Sequence, residues 1–156
     1  MKKAAIAAAG VAAVVLLQAG TAVRSASEFY AVRVVDHINV NAPGNATGRP
    51  DGRFAEIKPD GEMTLRMESA LRFLEGSDDG FLVVKAEGEY GLAGLFELGD
   101  EGGPAWLPLG PGSGPGRFKL GTMRFSPAQS TDTIRIVNGG ARPVYLDAVA
   151  GIGEKP

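Results

Sequence analysis

His37 carries the only imidazole of this chain, so any histidine-dependent catalysis would have to be built around it. Asp36 precedes it directly, but adjacent residues of a strand face opposite ways, which leaves Asp36 badly placed to orient the ring. Ser126 and Ser130 are the nearest candidates for a nucleophile, and neither lies in a Gly-x-Ser-x-Gly elbow. The chain has no cysteine, which excludes cysteine nucleophiles, disulfides and thiolate zinc sites together. The residue types therefore predict a protein without catalytic activity.

Aromatic rings and arginines could instead bind a saccharide, because sugar C–H surfaces stack on rings while guanidinium groups bond hydroxyls. Trp106, the only tryptophan, has two interpretations. It is either a ligand platform or a core plug within the run AWLPL at 105–109, and we favour the core because large aromatics dominate core burial. Tyr90 stands among glycines and is expected to be exposed. The candidate ligand-binding residues are Tyr90, Trp106, Arg49 and Arg142.

Short apolar runs must position these side chains, because glycine and proline, 23 and 10 in number, interrupt almost every window long enough for a helix. In the run EMTLRM at 62–67, apolar and polar residues alternate as they do in a half-buried strand. The predicted strands are 28–35, 62–67, 81–86, 92–98, 117–120, 133–137 and 144–149. Many short strands between turns favour an all-β fold, an antiparallel two-sheet β-sandwich in which each sheet buries one face against the other.

Two segments are expected to lie outside the strands. The stretch 99–116 is so rich in glycine and proline that we expect no regular secondary structure there and the greatest mobility of the domain. Residues 151–156 at the end of the chain are expected to form a flexible tail.

The chain begins with Lys2 and Lys3, and an almost uncharged apolar stretch that ends in small residues follows up to Val23. This layout is typical of a secretory signal, so we predict a hydrophobic signal helix at 1–22, cleaved after Ala22, ahead of one domain at 23–150. An uncleaved membrane anchor is the alternative, because about 20 apolar residues can span a bilayer. The predicted location is periplasmic, cell-surface or extracellular.

The charge of the exported part narrows its partners. Without Lys2 and Lys3, the 16 basic residues become 14 against 18 acidic ones, which gives a formal net charge of −4. Nucleic acid and anionic membrane surfaces are therefore not expected as partners.

Five runs follow one another along the chain: ATGRPDG at 46–52, GEMTLR at 61–66, DDGFLVV at 78–84, TIRIVN at 133–138 and VYLDAV at 144–149. In this order and spacing they resemble the galactose-binding-like β-sandwich domains, or jelly rolls, of bacterial exported and cell-surface proteins. That group is related in architecture to discoidin-type and carbohydrate-binding modules. Phe81, Ala86 and Tyr145 stand where the group carries acidic residues, so no site built on those carboxylates is expected here.

The resemblance implies a jelly roll whose loops at one end bind sugars, other glycans, lipids or proteins, with a structural calcium in many members. Calcium takes about six to eight oxygens from carboxylates and carbonyls, which turn-rich sandwiches supply. The implied neighbourhood of the first and last strands would bring Glu28 or Asp36 to Asp147, and these three are the candidate metal ligands. The loop carboxylates that could add oxygens are Asp51, Asp60, Asp78 and Asp79. The first two also suit their Pro-Asp-Gly turns without any metal.

Two functions stay open at this point. The first is an exported, non-catalytic binding module that recognises a saccharide or other cell-surface ligand through its loops, and the resemblance favours it. The alternative is a structural or self-assembling protein of the cell envelope or extracellular matrix, which the scarcity of aromatic side chains favours. Its copies would meet through sheet edges, through the Gly/Pro stretch or through 144–149.

Overall fold

The computed structural model describes residues 27–72, 81–98, 102–119 and 130–153, and most of these residues are in β-strands. The strands are β1 (Ser27–Asn41), β2 (Ala55–Arg72), β3 (Phe81–Glu87), β4 (Glu89–Leu98), β5 (Gly102–Ser113), β6 (Gly116–Lys119), β7 (Ser130–Val137) and β8 (Val144–Gly153), and a 3₁₀ helix spans Pro43–Ala46. The predicted all-β class is therefore confirmed. No helix in the described ranges is long and apolar enough to cross a bilayer. The predicted signal helix at 1–22, Asp78, Asp79 and Ser126 lie outside the described residues.

The eight strands pair antiparallel in one curled sheet, a half-barrel, in the order β5-β4-β7-β2-β1-β8-β3-β6. Two separate sheets were expected. Instead, the half β5-β4-β7 and the half β8-β3-β6 form one continuous hydrogen-bonded sheet, because β1 and β2 pair with strands of both halves or with each other. Strand β1 pairs with β8 through residues 27–30 and with β2 from Ala31 onward. Strand β2 pairs with β8 through 55–57 and with β7 through 62–72. The implied adjacency of the first and last strands is confirmed, while the jelly-roll topology stays a prediction.

Bulges in β1 explain the curl of the sheet. Val32 and Val35 each stand as an extra residue of β1 at a register shift with β2, while at a third shift the extra residues, within 58–61, belong to β2. A bulge bends its strand and increases the local right-handed twist. The two bulges of β1 follow directly on the point where β1 leaves β8 and pairs with β2, so a single strand joins the two halves.

The inner face of the curled sheet carries the core. As the alternation in β2 predicts, Met63, Leu65 and Met67 are buried and Arg66 is exposed, but Thr64, on the polar side of the pattern, is also buried. The largest fully buried side chains come from both halves: Phe29, Phe96, Ile57, Met63, Leu65, Leu82, Ile134, Ile136, Leu146, Val84 and Val144. Each such side chain contributes about 1.5–3 kcal/mol when it leaves water. This shared core holds the strand ends, and therefore the turns between them, in place.

Both predictions about irregular segments were wrong in part. Residues 102–113 of the Gly/Pro stretch form β5, which pairs along most of β4. A strand at the end of a sheet pairs on one side only, so Pro104, Pro108 and Pro111 are tolerated although they lack an N–H. At the other end of the chain, β8 continues to Gly153, and Gly151 is buried. The predicted tail is therefore strand through residue 153.

Candidate functional site

Three turns meet at one end of the sheet: the β3–β4 turn at Gly88, the β5–β6 turn at 114–115 and the β7–β8 loop at 138–143. The N–H of Gly114 donates to the carbonyl oxygen of Gly88 at 2.8 Å and joins the first two turns. Adjoining depressions of about 510 Å³ and about 380 Å³ open between the three turns. We name these depressions together the loop-end site, which residues 88–91, 111–113 and 139–142 line.

Glycine is required where the turns touch. Gly88 has a φ of 101°, in the left-handed region that side chains rarely adopt. A Cβ on Gly88 would also lie 3.0 Å from the carbonyl oxygen of Pro143, so the β3–β4 turn packs directly on the β7–β8 loop. The absence of a side chain here lets the turns approach closely enough to form one site.

Asn138 organises the β7–β8 loop from a fully buried position. Its amide nitrogen donates to the carbonyl oxygens of Ile57 at 2.9 Å and Arg142 at 2.8 Å, and its amide oxygen accepts the N–H of Gly140 at 3.0 Å. Its own backbone exchanges hydrogen bonds with Asp60 and Gly61 of β2. Asn138 therefore fixes Arg142 and the neighbouring glycines against the core.

Opposite charges line the loop-end site without pairing. Glu89 and Arg142 are both exposed, and neither forms an ion pair with another residue in the described part of the chain. The Ser113 hydroxyl lies beside them, and Pro111 adds an apolar patch. A guanidinium supplies fixed donors and a carboxylate supplies acceptors, so this site suits an uncharged ligand with many hydroxyl groups.

The structure brings two of the four predicted ligand-binding residues, Tyr90 and Arg142, to the loop-end site. Sequence reasoning missed Glu89, Ser113 and Asn138. The signal for the loop was the Gly139-Gly140 pair, one residue beyond the strand 133–137, because paired glycines mark a turn. Nothing in the local sequence marked Asn138 as buried.

The Tyr90 side chain is buried beneath the loop-end site and does not face solvent. Its side chain is buried, with 3 % relative exposure, so the predicted exposure was wrong. Its hydroxyl donates to the carbonyl oxygen of Gly114 at 2.9 Å, and its ring meets that of Phe118 edge to face with centroids 6.3 Å apart. Burial raises the pKa of Tyr90 to about 12. The phenol therefore stays a neutral donor to the β5–β6 turn at any ordinary pH.

Tyr90→Phe is expected to remove a pH dependence of stability in the alkaline range. Because the pKa of Tyr90 lies near 12 in the folded state and at 10.0 ordinarily, its stabilisation is complete below pH 10 and is lost as the pH rises through 12. Urea unfolding of both proteins between about pH 8 and about pH 11.5 measures this. The stability difference between wild type and variant should shrink across that window. A constant difference would contradict the buried position of the phenol.

Trp106 lies on the outer face of the sheet, away from the loop-end site. Its neighbour Leu107 packs against the core while the guanidinium of Arg135 covers the indole ring, 3.9 Å from its centroid. Arg135 also lies 3.9 Å from Glu62. The favoured interpretation of Trp106 as a core plug was wrong, because the alternation of β5 turns it outward.

The candidate metal ligands do not converge. Glu28 lies opposite Ile152, five positions from Asp147 on β8, which is about 16 Å along an extended strand. Asp36 lies opposite Thr64 on β2. Within the described ranges, no group of three or more His, Cys, Asp or Glu side chains is arranged to hold a metal ion. The expected meeting of these residues was wrong, because β1 leaves β8 after Tyr30; calcium itself stays a prediction.

The carboxylate of Asp147 serves a turn. Its Oδ1 accepts the backbone N–H groups of Asp51 at 3.1 Å and Gly52 at 3.3 Å. Asp51 in turn accepts the N–H of Arg53 at 2.9 Å, as Asp does in a turn that it stabilises itself. Asp60, at a φ of 58°, lies within β2, at the irregularity between Ile57 and Glu62. The turn role that its Pro-Asp-Gly sequence indicated is thus confirmed for Asp51 and stays a prediction for the carboxylate of Asp60.

The residues considered for catalysis are dispersed. His37 is exposed on β1, and the carboxylate of Asp36 accepts the backbone N–H of His37 at 2.8 Å rather than orienting the imidazole. Ser130 is exposed at the start of β7. The absence of catalytic activity stays a prediction.

Comparison with known proteins adds no relative: no family model matches this chain, and no curated protein matches it.

Proposed function

We propose that this chain is an exported, non-catalytic binding domain that recognises a saccharide or other cell-surface ligand through the loop-end site. The observation that carries the proposal is the set of polar side chains that three turns bring together around two depressions: Glu89, Arg142 and Ser113. Binding sites are concave and combine apolar lining with a few convergent polar groups. A galactose-binding-like jelly roll, in which loops at one end bind the ligand, is the fold that we propose for this arrangement.

A glycan array probed with the protein, followed by calorimetry on each hit, tests this proposal. Arg142→Ala and Glu89→Gln are expected to weaken binding at least about tenfold, which corresponds to about 1.4 kcal/mol. Arg33→Ala is the matched control, because Arg33 is an exposed arginine on β1 far from the three turns. A hit that both site variants bind as tightly as wild type would contradict the loop-end site, and an array without any hit would contradict saccharide recognition.

Self-assembly is the second candidate, and a surface of β1 favours it. Val32, Val35 and Ile38 are 56 %, 46 % and 51 % exposed, and they are three of the five exposed large hydrophobic residues in the described ranges. Contiguous exposed apolar surface often marks an interaction site. The segments that the sequence suggested for self-assembly are less suitable for pairing between copies. Residues 144–149 lie in β8, which already has a paired strand on each side, and the free edge of β5 is interrupted by prolines.

Light scattering of the same samples, with calcium and with a chelator, separates the two functions. A monomer with an array ligand supports the recognition domain, and a melting temperature that rises with calcium adds the proposed ion. Oligomers that ignore the chelator, together with an empty array, would make self-assembly through the β1 surface the better account.

A further inference from the structure

A second set of ligand-binding groups lies on the outer face of β1, β8, β3 and β6. The registers place Tyr30 opposite Ala150, Ala150 opposite Val83 and Val83 opposite Arg117. Their chain neighbours Phe29 and Val84 are buried in the core, so the row faces away from it; Tyr30, Val83 and Arg117 are at least partly exposed there, while the small side chain of Ala150 is buried. Adjacent strands lie about 4.8 Å apart, and three such intervals separate Tyr30 from Arg117 by about 14 Å.

Two further cations complete the surface. Lys85 points outward beside Ala148 of β8. On the other side of β8, the N–H of Gly48 donates to the carbonyl oxygen of Ala31 at 2.8 Å and brings Arg49, a predicted ligand-binding residue, alongside. We name Arg49, Lys85 and Arg117, with the rings of Tyr30 and Phe81, the cationic face.

An aromatic ring lies near each of the two arginines of the cationic face. The guanidinium carbon of Arg117 lies 3.7 Å from the centroid of the Phe81 ring, and that of Arg49 lies 6.0 Å from the centroid of Tyr30. A guanidinium stacked on a ring keeps its N–H edge free and is already ordered for a bidentate bond to an anion. The Phe81 ring therefore orders the guanidinium of Arg117 for binding a carboxylate or sulfate group, while the Tyr30 ring lies at the outer limit of such a contact with Arg49.

The three cations of this face form no ion pair with another described residue. Glu28 lies on the same face, but its carboxylate accepts a hydrogen bond from the Tyr30 hydroxyl, which raises the pKa of Tyr30. On the other half of the sheet, by contrast, Arg66 pairs with Asp132 at 3.6 Å. Three cations without a described ion pair thus share this face, whereas Arg33, Lys58 and Arg142, which also lack one, lie apart from it.

We propose that the cationic face binds an anionic polysaccharide, through carboxylate or sulfate groups, at a site separate from the loop-end site. Duplex DNA carries one negative charge per about 1.7 Å of its axis, and a chain with a negative net charge repels so dense a polyanion more strongly than a polysaccharide whose anions are more widely spaced. A membrane surface is disfavoured because binding there requires exposed apolar side chains. None of the five residues of the cationic face is among the exposed large hydrophobic residues of the described ranges. A linear polymer with spaced anions fits this surface, because Arg49 lies beside Tyr30 at one side of it and Arg117 lies at the other, about 14 Å from Tyr30.

Calorimetry with polygalacturonate, dextran sulfate and neutral dextran tests the proposal on protein expressed from its full coding sequence. The two anionic polymers are expected to bind and neutral dextran to remain unbound. Affinity should fall about tenfold or more between about 50 mM and about 300 mM NaCl, because exposed charges are screened. Combining Arg49→Gln, Lys85→Gln and Arg117→Gln should weaken binding by at least about tenfold, or about 1.4 kcal/mol.

Two controls make the result specific. Arg33→Gln removes an exposed arginine from the other half of the sheet, and Arg142→Gln removes one from the loop-end site; both should bind the anionic polymers as wild type does. Each single variant of the cationic face is compared by circular dichroism and thermal unfolding, so that a folding defect in the triple variant cannot be mistaken for lost binding. Duplex DNA and vesicles with a third of anionic lipid serve as rival probes.

The proposal is overturned if neither anionic polymer binds, if the triple variant binds as wild type does, or if DNA or vesicles bind more tightly than the polymers. Failure here leaves the proposed function intact, because the loop-end variants and the glycan array test that site separately.

Discussion

Replacing Asn138 with alanine is expected to lower the free energy of unfolding by about 2–4 kcal/mol. The substitution leaves the carbonyl oxygens of Ile57 and Arg142 without their donor and the N–H of Gly140 without its acceptor. A buried polar group that loses its partner costs about 1–3 kcal/mol, and the Asn138 side chain satisfies three at once. Denaturant unfolding, read as the shift in midpoint at constant slope, measures the loss.

Asn138→Asp sharpens this test because it keeps the size of the side chain. At neutral pH a carboxylate would face two carbonyl oxygens at a buried site, and burying an unpaired charge there should cost at least as much as the alanine. Asn41→Ala is the matched control, since Asn41 is exposed and bonds Glu56 at 2.7 Å; a change within about 0.5 kcal/mol is expected. Equal, small effects at both asparagines would contradict the buried network.

The Asn138 variants should also lose ligand binding at the loop-end site. The loop that carries Arg142 is held to β2 by the Asn138 side chain, so its release would disperse Glu89 and Arg142 even in the folded fraction. Calorimetry with an array ligand at a temperature where the variant stays folded measures this second effect.

Gly151→Ala is expected to lower the free energy of unfolding by about 1–3 kcal/mol, the usual cost of overpacking a core. A Cβ at this position would collide with the ring of Phe29 and would lie 2.6 Å from a methyl carbon of Leu71. Phe29 is only 1 % exposed, so its ring cannot turn out of the way without moving the core. The strand pairing of β1 with β8 at Phe29↔Gly151 would then weaken. Thermal and denaturant unfolding both measure the effect.

Gly103→Ala is the control for Gly151→Ala, because Gly103 also lies in a strand. No described heavy atom lies within 4 Å of the Cβ position at Gly103, and its φ is not in the left-handed region. Its substitution should be neutral or slightly stabilising, since alanine reduces the freedom of the unfolded chain. A loss at Gly103 as large as that at Gly151 would mean that the two strands respond to alanine in general and not to the contact with Phe29.

Local pattern predicted the strands where apolar and polar residues alternate. The runs around Met63, Leu82 and Ile134 lie within β2, β3 and β7, because a strand with one buried face needs period-two alternation. No such pattern exists in residues 102–113, because glycine and proline occupy most of these positions and apolar and polar residues do not alternate. That segment is a strand because β4 offers it an edge, and Trp106 faces outward because of the register of that pairing.

The residues of the candidate site were also predicted only in part. Arg142 was found from its place beside a turn, whereas Tyr90 was expected outside and is buried under Gly112 and Gly114. Glu28, Asp36 and Asp147 were expected together on neighbouring strands, and the strands are neighbours only as far as Tyr30. A pattern of residue types does not contain the bulges that carry β1 away from β8.

The sequence by itself determined the all-β class, the antiparallel pairing, the alternation of the core residues and the turn role of Asp51. These properties depend on neighbours within a few positions, where side-chain period and turn chemistry act directly. Tertiary structure decided the curl of the sheet, the outward position of Trp106 and the meeting of Glu89, Ser113 and Arg142. These depend on contacts between distant segments, such as the hydrogen bond from Asn138 to Ile57 across 81 positions, whose partners only the packed core brings together.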